Sequence, residues 1–367
     1  MKRFFIFLSC ILSFSALQLS AQERLVHYAD SMSVSRGEVL KISLKNTDVE
    51  IRNWADPRIV IDLDLTFSGS GDESIDRMLK RTDVEIAKKG KNVNFSIKTL
   101  PFSHKLFTRC EFRGKCTVYM PAFLDVEGSL SDGNLIVARA NNLRMSLTDC
   151  ECSCGDVSSF DVFGRNSNVT MSNASKGKVK LSYGDFVAGD VNNLDVDCKY
   201  GDVTIGNSGT FYADMGYGNL VAGDLLKASL QSSHCNIKLG SVGTLFVSSV
   251  YDELKINEIQ TTLDMRKASF TEVYIEHIAP RFSSVSMKMS HGDAYLNMDS
   301  DTDFYLNVQN IRYGTCEVMG LRNASYLNRG DIDTNDNVYV KYGVGGRELF
   351  FDGGGYGNLY INGNKSR

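Results

Sequence analysis

The chain has 367 residues, 43% of them hydrophobic, with 40 Lys and Arg against 44 Asp and Glu and a formal net charge of −4. It holds no basic block and no aromatic-basic patch, which argues against a nucleic-acid-binding protein. Only 4 prolines against 32 glycines argues against a string of linked modules and for a turn-rich β protein.

Lys2 and Arg3 precede an apolar run from Phe4 to about Leu19, and Leu19-Ser20-Ala21 stands before Gln22. A basic start, a short apolar stretch and a small residue at its end form the pattern of a secretory signal peptide. Residues 1–21 are therefore expected to be removed and the protein exported. Cys10 lies inside the apolar run, with too little before it for a lipoprotein cysteine. No later run of about 18 apolar residues occurs, so no transmembrane segment is expected.

Residues 22–117 read as N-terminal coils and a capping region. Leu40, Ile42, Leu44, Asn46, Val49, Ile51 and Trp54 alternate as a strand, with wider steps after Asn46 and Ile51. Residues 59–67 alternate as a long strand. The stretch DESIDRMLKR, 72–81, predicts one short helix, with Asp72 placed to cap it and Ile75, Met78 and Leu79 on one face. Such a helix could cover an open end or flank. Cys110 and Cys116 surround EFRGK and are close enough in sequence to close a hairpin with a disulfide; whether they do stays open.

Residues 118–262 carry a repeat. Tyr183-Gly184-Asp185, Tyr200-Gly201-Asp202 and Tyr217-Gly218-Asn219 recur at a step of 17. The same step reaches His234 and Tyr251 downstream, and Asn166, Asp149 and Asp132 upstream. In the unit 194–210 the apolar frame is Leu194, Val196, Cys198, Tyr200, Val203, Ile205 and Ser208. Steps of two are strand alternation with one buried face; steps of three mark corners; a helix would step by three and four. A short unit that buries one face only against its own copies is a coil of a solenoid. Coils stacked about 4.8 Å apart would align Val203, Leu220, Ile237 and Leu254 in one column and Ile205, Ala222, Leu239 and Ile256 in another. The crossover bias of parallel sheets predicts a right-handed coil. In this frame Tyr200 fills an inward slot, while Gly201 and Asp202 bulge at the corner, glycine for positive φ and Asp or Asn to bond its own turn. A structural corner accounts for the motif better than a repeated ligand loop.

Residues 263–367 read as irregular C-terminal coils and a cap. Phe270, His291, Tyr313 and Tyr356 each lead to a pair of apolar residues two apart, as in the regular coils. The tail YGVGGRELFFDGGGYGNLY is expected to be a terminal coil; no helix follows it, so it is not a phosphate loop.

LKNTDVEIRNWADPRIVIDLDLTF, the short helix, VNFSIKTL and then TVYMPAFLDVEGSLSDGNLIVARANNLRMSLTD together resemble the bacterial putative-adhesin family of unknown function, and the related adhesin-head GIN domains. The resemblance runs from about residue 38 to 361. It implies an exported β-solenoid with a surface or periplasmic binding role, and it brings no catalytic residues with it. The cysteine count departs from the family.

Eight cysteines follow residue 21. Cys152, Cys154, Cys198 and Cys316 fall in inward slots and read as small apolar residues. Cys150 and Cys235 fall at the outward glycine position of the corner, too many coils apart to pair. The alternating faces of Cys150, Cys152 and Cys154 argue against a metal site. His234 and His291 take the tyrosine's slot and are expected to stack there; no serine or cysteine gains a histidine partner, so a nucleophilic triad has no support. Asp132 and Asp149 share the corner slot in adjacent coils, about as far apart as the carboxyls of a retaining glycosidase. Asp185 and Asp202 lie in an outward ladder where Ca²⁺ could bind.

The expectation is thus an all-β, right-handed parallel β-solenoid with coils of about 17 residues and one short helix near the N-terminus. It would be exported to the periplasm or cell surface, act without catalysis or cofactor as an adhesin-like or envelope scaffold, and bind a protein or glycan rather than nucleic acid. One alternative is a polysaccharide-active β-helix enzyme using Asp132 and Asp149; another is a periplasmic partner of a signalling system.

Overall fold

The computed structural model describes residues 22–100, 110–329 and 337–364. The expected signal peptide, Cys10 and His104 lie outside the described residues. Strands fill most of what is described, and the one helix is Asp72–Leu79. Among the described residues the fold is therefore all-β with a single short helix, and no helix is long and apolar enough to cross a membrane.

The repeat sets the pairing. Val191–Lys199 runs parallel to Ser208–Ala222 with Leu194 on Phe211 and Val196 on Ala213. Val203 lies on Leu220, Leu220 on Ile237 and Ile237 on Leu254, so the first predicted column exists. Ile205, Ala222, Leu239 and Ile256 form the second. Val203, Leu220 and Leu254 are fully buried. Each such aliphatic side chain contributes about 1.5–3 kcal/mol by leaving water. Long strands turn corners and close a ring of eight parallel strands. From Ala140–Cys154 it passes through Val157–Arg165, Ala174–Ser182 and Val191–Lys199 to Ser208–Ala222. It returns through Val203–Ile205, Phe186–Ala188 and Asn168–Met171.

The corner differs from the expected one. Tyr183, Tyr200, Tyr217, His234 and Tyr251 all have φ between 57° and 59°, the left-handed region. That geometry throws the side chain outward, and Tyr200 is 50% exposed. The residue after it turns in. A Cβ on Gly201 would lie 2.0 Å from the Gly184 carbonyl oxygen, so glycine serves close approach of coils there, not positive φ. The same inward turn buries Cys150 and Cys235, which the sequence frame placed outside. Asp252 stands at that position in its own coil and is buried; its carboxylate accepts bonds from the Ser232 and Ser249 hydroxyls and the Cys235 amide.

The order of stacking at both ends departs from chain order. The segment Val39–Lys45 lies between Asn92–Thr99 and Asp125–Val137. At the other end Glu348–Asp352 lies between Ser284–Ser290 and Phe304–Gln309, and Gly357–Asn364 between Gly292–Asp299 and Cys316–Met319. The Gly-rich tail therefore supplies inserted strands and is not the terminal coil expected. Arg58–Gly69 forms the long strand expected from its alternation and pairs antiparallel with Gln22–Ser33 and Cys110–Met120. The helix packs on this flank through Ile75 and Met78. Gly71 holds its N-cap position with no side-chain cap bond, and Asp72 is already inside the helix.

Cys110 and Cys116 belong to one continuous strand, Cys110–Met120. Six residues of strand separate them by about 20 Å, so EFRGK closes no hairpin and the pair makes no bridge. All eight described cysteines are free.

Candidate functional site

The outer face of the first strand stack carries a groove of about 720 Å³. Its floor is a row of short side chains running across the strands. Ser96 lies beside Ser43, Ser43 beside Ser129, Ser129 beside Ser146 and Ser146 beside Phe163. The next row is polar, Asn94 followed by the charged Lys41, Glu127, Arg144 and Asp161. Such rows follow directly from parallel in-register pairing, which repeats one pleat position from strand to strand. The hairpin of Thr82–Lys89 with Asn92–Thr99 closes one end and brings Glu85, Lys89 and Lys98 to the groove. Lys89 and Lys98 both pair with Glu85, and Arg144 stands 3.9 Å from Glu127 and 3.5 Å from Asp161. Ser96 is 7% exposed, and its hydroxyl oxygen is buried without a hydrogen-bond partner. One Asp161 carboxylate oxygen is in the same condition. A second hollow of about 410 Å³, lined by Asp125, Ser159, Asp161, Lys176 and Lys178, meets the groove at Glu127 and Arg144. None of this was singled out from the sequence. The serines sit at outward positions of a frame read only for its inward ones, and the Asn92–Thr99 partner strand breaks the period.

The corner residues singled out from the sequence form two ladders. In the aromatic one Tyr183, Tyr200, Tyr217, His234, Tyr251, Phe270, His291, Tyr356 and Tyr313 stack in that order, centroids 4.6–5.0 Å apart. His234 and His291 do stack, as expected, but outside the core. Between the terminal rings, Tyr183 and Tyr313, each ring face is covered by its neighbours, which leaves edges to solvent. Asp132 and Asp149 occupy the same left-handed corner upstream, at φ 55° and 54°. They are exposed, not inward: Asp132 lies 3.7 Å from Lys45, and Asp149 accepts a bond from the Asn166 amide at 3.0 Å.

The second ladder holds Asp185 and Asp202. Asp185 Oδ1 accepts the Asp202 backbone N–H at 2.8 Å, and Asp202 Oδ1 accepts that of Asn219 at 2.8 Å. At the other corner Asn173, Asp190, Asn207 and Asp224 do the same, each accepting the amide one coil on at 2.7–2.9 Å. Asp or Asn therefore recurs because each accepts the amide 17 residues on, in the next repeat, and not one in its own turn. Among the described residues the one group of three metal-type ligands is elsewhere: His27 Nδ1 lies 2.9 Å from Asp64 Oδ1 and 3.5 Å from Asp62 Oδ1 on an exposed antiparallel face. The hydrogen bond to Asp64 raises the His27 pKa above its usual value.

Burial pushes the thiols of Cys116, Cys154 and Cys198 up to about 12 and that of Cys152 higher still. At neutral pH they are protonated, poor nucleophiles and poor metal ligands.

No family model and no curated protein matches the chain. A solved structure described as a "putative cell adhesion protein", from Clostridium sporogenes, aligns over 93% of this chain and 100% of its own at 11% identity. Its TM-score is 0.19, too slight a likeness to bear on the fold or the function of this protein.

Proposed function

We propose that this is an exported, non-catalytic binding protein of the adhesin-like or envelope-scaffold kind, built as a right-handed β-solenoid in which the ring of eight strands is a flattened run of coils. The observation that carries the reading is the in-register stack itself. It repeats outward side chains at about 4.8 Å across a rigid, fully paired face, the form suited to an extended partner. The placement of Asp132 and Asp149 supports a non-catalytic role. Both are exposed, and each is already engaged by a neighbour, Asp132 by Lys45 and Asp149 by Asn166. The resemblance to an adhesin family and the N-terminal pattern support export.

Two measurements test this. Residues 22–367, labelled and applied to a glycan array and to intact bacterial cells, should bind without releasing product, as judged by mass spectrometry of the supernatant. Product that disappears in the Asp132→Asn, Asp149→Asn double variant would establish the enzymatic alternative instead. Fractionation of cells expressing the full chain should place it outside the cytoplasm; retention in the cytoplasm refutes export.

A further inference from the structure

We propose that the serine-floored groove binds an extended acidic glycan laid across its strands, from the Asn92–Thr99 hairpin to Phe163. The inference rests on the binding-protein reading above and adds the class of ligand.

Four features of the groove and of the hollow that adjoins it specify that ligand. The groove lining has four cations, Lys41, Lys89, Lys98 and Arg144, against two carboxylates, Glu85 and Glu127, and the hollow adds Lys176 and Lys178 against Asp125 and Asp161, so the excess charge favours an anion. The Ser96 hydroxyl lies on the side of its strand away from the core residues Phe95 and Ile97, yet it is buried and unpartnered at the groove floor. A buried hydroxyl without a bond is destabilising until a ligand supplies one. In the adjoining hollow, which meets the groove at Glu127 and Arg144, the unpartnered Asp161 oxygen accepts only, so a ligand that reaches it must also bring hydroxyl donors. A chain with both acid groups and hydroxyls meets all three demands. Phe163, 44% exposed at the end of the serine row and stacked on no other ring among the described residues, offers an apolar surface to the C–H face of a sugar.

The same geometry disfavours an acidic peptide. Peptides that lie along sheets usually add to an edge strand through backbone hydrogen bonds. Here Val39–Lys45 has partners on both sides, and so have Asp125–Val137 and Ala140–Cys154. On the groove floor recognition therefore comes from side-chain hydroxyls and cations, arranged across strands; Thr82–Lys89, paired on one side only among the described residues, is the edge strand at the groove's end, and polyglutamate tests binding along it.

The test is calorimetric titration of residues 22–367 with polygalacturonate at low salt, beside its neutral methyl ester and beside polyglutamate. The acid polymer should bind and the binding should weaken as salt is raised. The Lys98→Gln, Arg144→Gln double variant should lose at least about tenfold in affinity, the scale of lost charge-assisted hydrogen bonds. Ser96→Ala should also weaken binding, while Lys238→Gln on another face should not; melting temperatures of all variants are compared with the parent to confirm folding. Equal affinity for the methyl ester overturns the acidic part of the proposal, and equal affinity for polyglutamate overturns the glycan part. Failure of polygalacturonate to bind, or binding unchanged in the folded groove variants, overturns the site. Cell or array binding that persists in those same variants would leave the general function standing while removing the groove from it.

Discussion

Tyr217 sits in the middle of the aromatic ladder, and three substitutions there separate the two forces acting on it. Its ring stacks on Tyr200 at 5.0 Å and on His234 at 4.6 Å. Each aromatic pair contributes about 0.5–1.5 kcal/mol, so removing the ring should cost about 1–3 kcal/mol. Against this, Tyr217 has φ 57°, which disfavours any residue with a Cβ by about 1–2 kcal/mol. Tyr217→Phe keeps ring and backbone and should stay within about 0.5 kcal/mol of the parent. Tyr217→Ala loses the stack but keeps the backbone penalty, so it should show the full loss. Tyr217→Gly loses the stack and sheds most of that penalty, partly offset by glycine's freedom in the unfolded chain, and should be about 1 kcal/mol more stable than the alanine variant. The assay is equilibrium guanidinium unfolding followed by far-UV circular dichroism, with slopes compared to confirm a common transition. An alanine variant as stable as the parent would show that the ladder adds nothing. A glycine variant less stable than the alanine one would refute the left-handed corner.

Other consequences are as direct. Asp202→Ala removes the acceptor of the Asn219 amide and should destabilise by about 1 kcal/mol, whereas Asp202→Asn keeps an oxygen in place and should be near neutral. The ladder explains its acids without calcium, so the melting temperature should be the same in EDTA and in added Ca²⁺; a rise with Ca²⁺ that Asp185→Asn abolishes would show the contrary. Native protein should leave Cys152, Cys154 and Cys198 unlabelled by iodoacetamide at neutral pH, with all three alkylated after unfolding, as peptide mass spectrometry would report; rapid labelling of any in the native state would contradict their burial. His27 has a folded pKa raised above 6.5, so its pairing with Asp64 favours the folded state below that pH and this contribution fades as pH rises through the folded value. An NMR titration of the imidazole should show the raised midpoint, and Asp64→Asn should lower it. Ending the chain at residue 343 removes Leu349, Phe351, Leu359 and Ile361, all buried, at about 1.5–3 kcal/mol each. It also takes away the strands between 284–299 and 304–319. Limited proteolysis should then cut within 300–343 first; resistance equal to the parent would mean that the inserted strands are dispensable.

The step of 17 and the apolar alternation inside it were sufficient to derive the columns of Val203 and Ile205, because parallel in-register stacking is the arrangement that buries every copy of one face at once. The free state of most cysteines followed from the same frame, since an inward slot in a repeated coil surrounds a thiol with apolar neighbours. Local pattern could not tell which corner residue turns outward. Tyr200 and Gly201 are adjacent, and their directions depend on whether the chain enters the left-handed region, which the stacking of Tyr183, Tyr200 and Tyr217 decides across coils. The insertion of 348–364 between 284–299 and 304–319, and of 39–45 between 92–99 and 125–137, likewise has no local signature, for a strand's sequence encodes the face it buries but not the identity of its neighbour. The groove combines both limits. Ser43, Ser96, Ser129 and Ser146 are unremarkable outward serines until out-of-order pairing sets four strands side by side next to the Thr82–Lys89 hairpin, and only that juxtaposition makes them the floor of one groove.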